Sequence, residues 1–177
     1  MNRKLLGTVG ILVAILASVL GANYLILQSP MAEVLTTDAR NEGISVTVHF
    51  GKYVDPSELI FDLREVSSSN SPADVSRVLF QYAQALKTME FDRMILAYKG
   101  TPRFQLKGQY FRELGEEFGL QNPVYTMRTF SENVHELDGT AAFGTWTGGL
   151  LGVVGKQMED FNEFHERWYV AEIARGK

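Results

Sequence analysis

The sequence predicts an α+β fold: one domain with a mainly antiparallel sheet and about three helices packed on it, behind a single N-terminal transmembrane helix. Three observations predict it. Residues 5–27 carry no charge; Ile44, Val46, Val48 and Phe50 alternate with Ser45, Thr47 and His49; and short turn-rich connections separate strand-like runs from stretches with helical spacing.

The run from Leu5 to Leu27 is 23 residues long, entered through Arg3 and Lys4 and left through Gln28, Ser29 and Pro30. At about 1.5 Å per residue it reaches roughly 35 Å, against a hydrocarbon core of about 30 Å. Thirteen of its residues are Leu, Ile or Val. Together they favour insertion by roughly −4 to −8 kcal/mol before Gly, Ser, Thr and Asn23 subtract from that sum. A cleaved signal peptide shares the basic start, but its apolar region runs about 7–15 residues and ends in a small-x-small site. Val19-Leu20-Gly21 is a passable site, Leu20 spoils the one ending at Ala22, and the apolar run continues past both.

The chain therefore reads as an uncleaved signal-anchor over 1–27, a juxtamembrane linker over 28–43 and an exported domain over 44–177. Arg3 and Lys4 precede the span, while Glu33, Asp38, Arg40 and Glu42 follow it with a net negative balance. That asymmetry predicts a cytoplasmic amino terminus and an exported domain; the compact anchor-plus-domain layout suggests a bacterial inner membrane with the domain periplasmic. Gly7, Gly10, Ala14, Ala17 and Gly21 recur at spacings of three and four, a face that would allow a helix-mediated homo-oligomer.

Outside residues 1–27 the chain carries 15 basic and 21 acidic groups, a balance of −6. Net acidity argues against a nucleic-acid partner. The absence of cysteine excludes disulfides, thiolate metal sites and cysteine catalysis.

The elements follow in order. Residues 44–50 and 59–66 read as two strands, the second with a continuous apolar centre. Ser71, Pro72 and Asp74 form a helix start, and Val75, Val78, Leu79, Tyr82, Leu86 and Met89 continue it at helical spacing to about residue 89. Residues 93–99 and 103–107 read as strands joined through Gly100-Thr101-Pro102. A short helix around Tyr110–Phe118 stops near Gly119. Residues 124–130 and 140–146 read as a further strand pair. A last helix runs through Leu151, Val154, Met158 and Phe161 to about Phe164, and residues 168–173 either continue it or form a final strand, the strand being the preferred reading.

Chemistry-bearing motifs are near misses. Gly149-Leu150-Leu151-Gly152-Val153-Val154-Gly155-Lys156 resembles a phosphate loop in outline only, with Leu150 where glycine belongs and Gln157 where a magnesium-binding hydroxyl belongs. Its glycines, with Gly148, suggest close packing on the sheet or a flexible apolar flap. His135-Glu136 and His165-Glu166 begin like zinc helices but lack the second histidine, at Gly139 and Tyr169. His165 falls on an apolar stripe and reads as a core residue. No G-x-S-x-G, S-x-x-K or G-x-G-x-x-G pattern is present. No metal, cofactor or catalytic residue is therefore assigned. If Phe104 and Leu106 point inward, Arg103, Gln105 and Lys107 form an outward row near Lys99.

The expected function is a binding or interaction module near the membrane. Its expected partners are the membrane and another membrane or periplasmic protein, with contacts among Lys99, Arg103, Lys107, Gly149, Gly152, Gly155 and His165. The alternative is a small exported enzyme or ligand carrier with a pocket near Gly148–Gly155 and His165.

Overall fold

The computed structural model describes residues 3–176, with side chains over 8–149 and 152–176. A single rod opens the chain: helix α1 (Arg3–Asn23), a π-helical turn (Tyr24–Gln28) and helix α2 (Ser29–Thr37). Pro30 explains the turn. It has no N–H to offer Ile26 and its ring would press on that carbonyl, so the register loosens just before it. The Ser29 N–H reaches back five residues to the Tyr24 carbonyl.

The expected linker over 28–43 is thus helix and a short 3-10 turn (Ala39–Asn41) rather than extended chain. Leu27 and Met31 are fully buried in the core of the domain. Polar side chains lock the end of this segment to the next helix. The Asn41 amide donates to the Val34 carbonyl at 2.9 Å and to Gln81 at 2.7 Å, and Arg77 donates to the Arg40 carbonyl at 2.7 Å. The Arg40 guanidinium and the Gln81 amide both donate to Asp38 and hold its carboxyl well below the usual carboxylate range.

The sheet is mixed and mostly antiparallel, in the order β1 (Ile44–Gly51), β2 (Asp55–Val66), β3 (Arg93–Tyr98), β4 (Thr101–Lys107). The β1–β2 and β3–β4 pairs are antiparallel, and β2–β3 is parallel. A parallel neighbour needs a crossover, which helix α3 (Pro72–Ala85) supplies. Its start carries the expected capping box. The Ser71 side chain accepts from the Asp74 N–H, and the Asp74 carboxylate accepts from the Ser71 N–H. Helix α4 (Gly108–Glu117) follows β4 directly.

Two expectations fail beyond this point. Residues 124–130 form helix α5 (Pro123–Phe130), because Asn122 caps the Val124 N–H and Pro123 suits a first helical position. Residues 140–146 form no strand; His135 makes single bridges to Gln105 and Ala141 instead. The β-branched Thr129 is served inside the helix, where its hydroxyl donates to the Tyr125 carbonyl. The final strand over 168–173 is also absent. Helix α6 (Leu150–His165) passes through a π-helical turn (Glu166–Val170) into α7 (Ala171–Ala174). Trp168 is fully buried there and its indole N–H donates to the Ala97 carbonyl at 3.0 Å.

One face of the sheet meets the helices. Phe61, Leu63, Met94, Leu96, Phe104 and Leu106 pack with Tyr82, Phe111, Phe130, Phe164 and Trp168 in one cluster. The closest approach in it is through glycine. A Cβ on Gly115 would stand 2.2 Å from the Ala83 carbonyl oxygen, and one on Gly108 would stand 1.7 Å from that of Phe91.

Candidate functional site

The exposed basic residues do not converge. Lys99 lies in the β3–β4 turn, with its ammonium 5.3 Å from the Tyr98 ring centre. Lys107 ends β4 at the other end of the sheet, about 20 Å away at 3.3 Å per strand residue. Between them Arg103 is half-buried and paired with Glu172 at 3.3 Å. Phe104 and Leu106 do point inward, and the Gln105 side chain donates to the Glu136 carbonyl at 2.8 Å. The nearby Arg93 and Arg112 pair with Glu58 and Glu90.

The glycines and the histidine do not share a pocket either. Gly149, Gly152 and Gly155 are exposed, and a Cβ on any of them would meet nothing within 4 Å. Close packing is therefore excluded as their explanation. His165 lies ten residues beyond Gly155 on one helix, about 15 Å along its axis. Its ring is fully buried, with Nε2 3.0 Å from the Ser76 hydroxyl and with Phe161, Phe164 and Tyr169 edge-on around it. Burial pushes its pKa down to about 3, so the imidazole is neutral, as the core-histidine expectation requires. Among the described residues no three His, Asp or Glu side chains come together as metal ligands.

The residues that do converge lie where the apolar rod meets the sheet. β1 is an edge strand, and an uncovered edge leaves a row of backbone donors and acceptors unpaired. Two side-chain amides from the rod fill that row. Asn23 Oδ1 accepts from the Phe50 N–H at 2.8 Å, while Asn23 Nδ2 donates to the Tyr53 carbonyl at 2.8 Å. Gln28 Oε1 accepts from the Val48 N–H at 2.9 Å, and its Nε2 donates to the Val46 carbonyl at 3.3 Å.

The π-helical turn makes this pairing geometric. In an α-helix five residues turn through about 500°, which would leave positions 23 and 28 some 140° apart. A turn closed five residues back returns both amides to one face. On the strand, Phe50 and Val48 are two residues apart and present their donors to the same side. The Tyr82 hydroxyl then donates to the Leu27 carbonyl at 3.2 Å within the loosened turn. Burial raises the Tyr82 phenol far above its ordinary pKa, so it stays a donor at every ordinary pH.

Side chains over residues 8–18 are exposed, and Val19 and Gly21 are half-covered. Beside the rod sits the β1–β2 turn, Lys52-Tyr53-Val54, with Tyr53 46% and Val54 67% exposed. Lys52 (φ 48°) and Tyr53 (φ 66°) both occupy the left-handed region, which glycine and asparagine ordinarily fill. The Tyr53 ring stacks on His49 with centres 4.2 Å apart.

Neither Asn23 nor Gln28 was singled out by the sequence as a contact residue. The available signal was their chemistry: two amides flanking Tyr24–Leu27 at the end of an otherwise apolar run. No family model, curated protein or solved structure matches this chain.

Proposed function

We propose that this chain is a single-pass membrane protein whose α+β domain serves as a binding or interaction module held directly against the bilayer. In this reading the amino terminus is cytoplasmic, the domain is exported across a bacterial inner membrane, and the partner is another protein at the same membrane.

One observation carries the reading. A helix whose most apolar 18 residues have mean hydropathy 2.2, long and apolar enough to cross a membrane, is solvent-facing over its apolar half and built into the core over its other half. Exposed apolar surface of this extent marks a membrane or protein contact, and the length of the helix fits a membrane. Leu27 and Met31, in turn, tie the rod to the domain. An enzyme or ligand carrier using Gly148–Gly155 together with His165 draws no support from this arrangement, because the two features are about 15 Å apart and the ring is sealed.

The test is fractionation of the tagged chain, then gentle solubilisation and cross-linking. Retention in the membrane through alkaline carbonate, protection of the domain from protease added to the cytoplasmic side, and a reproducible cross-linked membrane partner are expected. Release by carbonate would remove the anchor. A membrane-held chain without any cross-linked protein would remove the interaction module.

A further inference from the structure

The β1–β2 turn stands beside the rod at Asn23, through the Tyr53 carbonyl. We infer that Lys52-Tyr53-Val54, clamped beside the rod by Asn23, sits in the phospholipid headgroup layer, so that the domain stands in one fixed orientation rather than swinging on a tether. This inference rests on the membrane-anchor reading above and adds to it a position for one named turn.

Length sets that position. From Arg3 to Asn23 the helix rises about 30 Å, which matches a hydrocarbon core of about 30 Å. With Arg3 and Lys4 at one interface, Asn23 falls at the other. The turn cannot lie far from that level, because the Tyr53 carbonyl is hydrogen-bonded to the Asn23 amide at 2.8 Å. A flexible linker would have broken this argument. The rod has none, since α1, the π-helical turn and α2 are continuous and Leu27 is buried.

Chemistry agrees with the position. Tyr24 on the rod is 59% exposed and Tyr53 on the turn 46%, and tyrosine concentrates at membrane–water interfaces because its ring is apolar and its hydroxyl polar. Val54, 67% exposed, offers an apolar side chain to the acyl boundary, and exposed Lys52 offers an ammonium to lipid phosphate. The backbone points the same way. A turn with φ positive at two successive residues is ordinarily built from asparagine and glycine, so lysine and tyrosine here are poor choices for the turn and good ones for a headgroup layer.

The chain has no cysteine, so single cysteines can be spin-labelled in the full-length protein. Val54→Cys reports the turn, Leu16→Cys the middle of the rod, and Ser69→Cys the opposite end of the sheet. Each is reconstituted at low protein density into vesicles of phosphatidylethanolamine and phosphatidylglycerol, and its collisions with oxygen and with a water-soluble nickel complex are compared. The expected result is a label at Leu16 accessible to oxygen and shielded from nickel, a label at Ser69 open to nickel, and one at Val54 shielded several-fold relative to Ser69. If Leu16 is shielded while Val54 is as open as Ser69, the turn stands in water and this inference falls while the anchor survives. If Leu16 itself is open to nickel, the anchor reading falls and takes this inference with it. Shielding of Val54 that grows with protein density would mean that a second copy covers the turn, which also overturns it.

Discussion

The side chain of Asn23 accepts the backbone N–H of Phe50 at 2.8 Å, joining the apolar rod to the edge of the sheet. The donor is buried, and a buried donor left without an acceptor costs about 1–3 kcal/mol. Replacing Asn23 by Leu should therefore lower the unfolding free energy of the full-length protein by about that amount, although the rod becomes more apolar. Urea unfolding in detergent micelles, followed through the buried Trp168, measures it. An unchanged midpoint would show that the edge groups find other partners.

Gln28 and Tyr82 act on the same junction from either side of the π-helical turn. Tyr82→Phe removes only the donation to the Leu27 carbonyl, and a loss of about 1 kcal/mol is expected. Gln28→Ala frees the Val48 N–H and the Val46 carbonyl and should cost more. Tyr82 bonds the Leu27 carbonyl inside the turn and Gln28, at the end of the turn, bonds the β1 backbone, so a double-mutant cycle should show coupling if the turn is the shared element. Additive losses would mean that the two contacts stabilise the junction independently.

The glycines divide into two kinds that substitution by alanine separates. At Gly115 the added Cβ meets the Ala83 carbonyl at 2.2 Å, so α3 and α4 must move apart, at a cost of about 1–3 kcal/mol. At Gly152 and Gly155 the space is open, and Ala should raise stability by about 0.5–1 kcal/mol each through helix propensity. Thermal unfolding of the three single variants checks the contrast. Destabilisation by Gly155→Ala would reveal a contact that the single chain does not contain.

His165 gives the fold a dependence on pH with a definite sign. Its folded pKa is pushed below the ordinary 6.5, to about 3, by burial. Between those values the unfolded chain binds a proton that the folded chain does not. The contribution of the neutral ring is thus complete above about pH 6.5 and is lost as pH falls toward 3, with a limiting slope of about 1.4 kcal/mol per pH unit. His165→Gln, which keeps a partner for the Ser76 hydroxyl, should flatten this slope between pH 6 and 4 in urea titrations. A variant with the same slope as the parent would show that His165 is not the source of the acid sensitivity.

The class of fold was legible in the sequence, and so were the first four strands and the capping box at Ser71 and Asp74, because alternation and capping are local patterns. Residues 124–130 were misread as one strand of a pair with 140–146. Asn122 and Pro123, which mark the start of a helix, carried the better signal. The last strand was misread because Trp168 and Tyr169 look alike in a strand and in a buried π-helical turn, and only packing against Ala97 and Tyr98 separates the two.

By itself the sequence determined that an apolar helix leads an acidic α+β domain, since hydropathy, charge and short-range periodicity belong to the chain before it folds. Tertiary structure alone decided where that helix ends its free course. Leu27 belongs to the apolar run by composition and to the core by position. The difference comes from Asn23 and Gln28 reaching a strand more than 15 residues further along, and from a proline that loosens one turn so that both can reach it. Such long-range pairing leaves no period in the sequence.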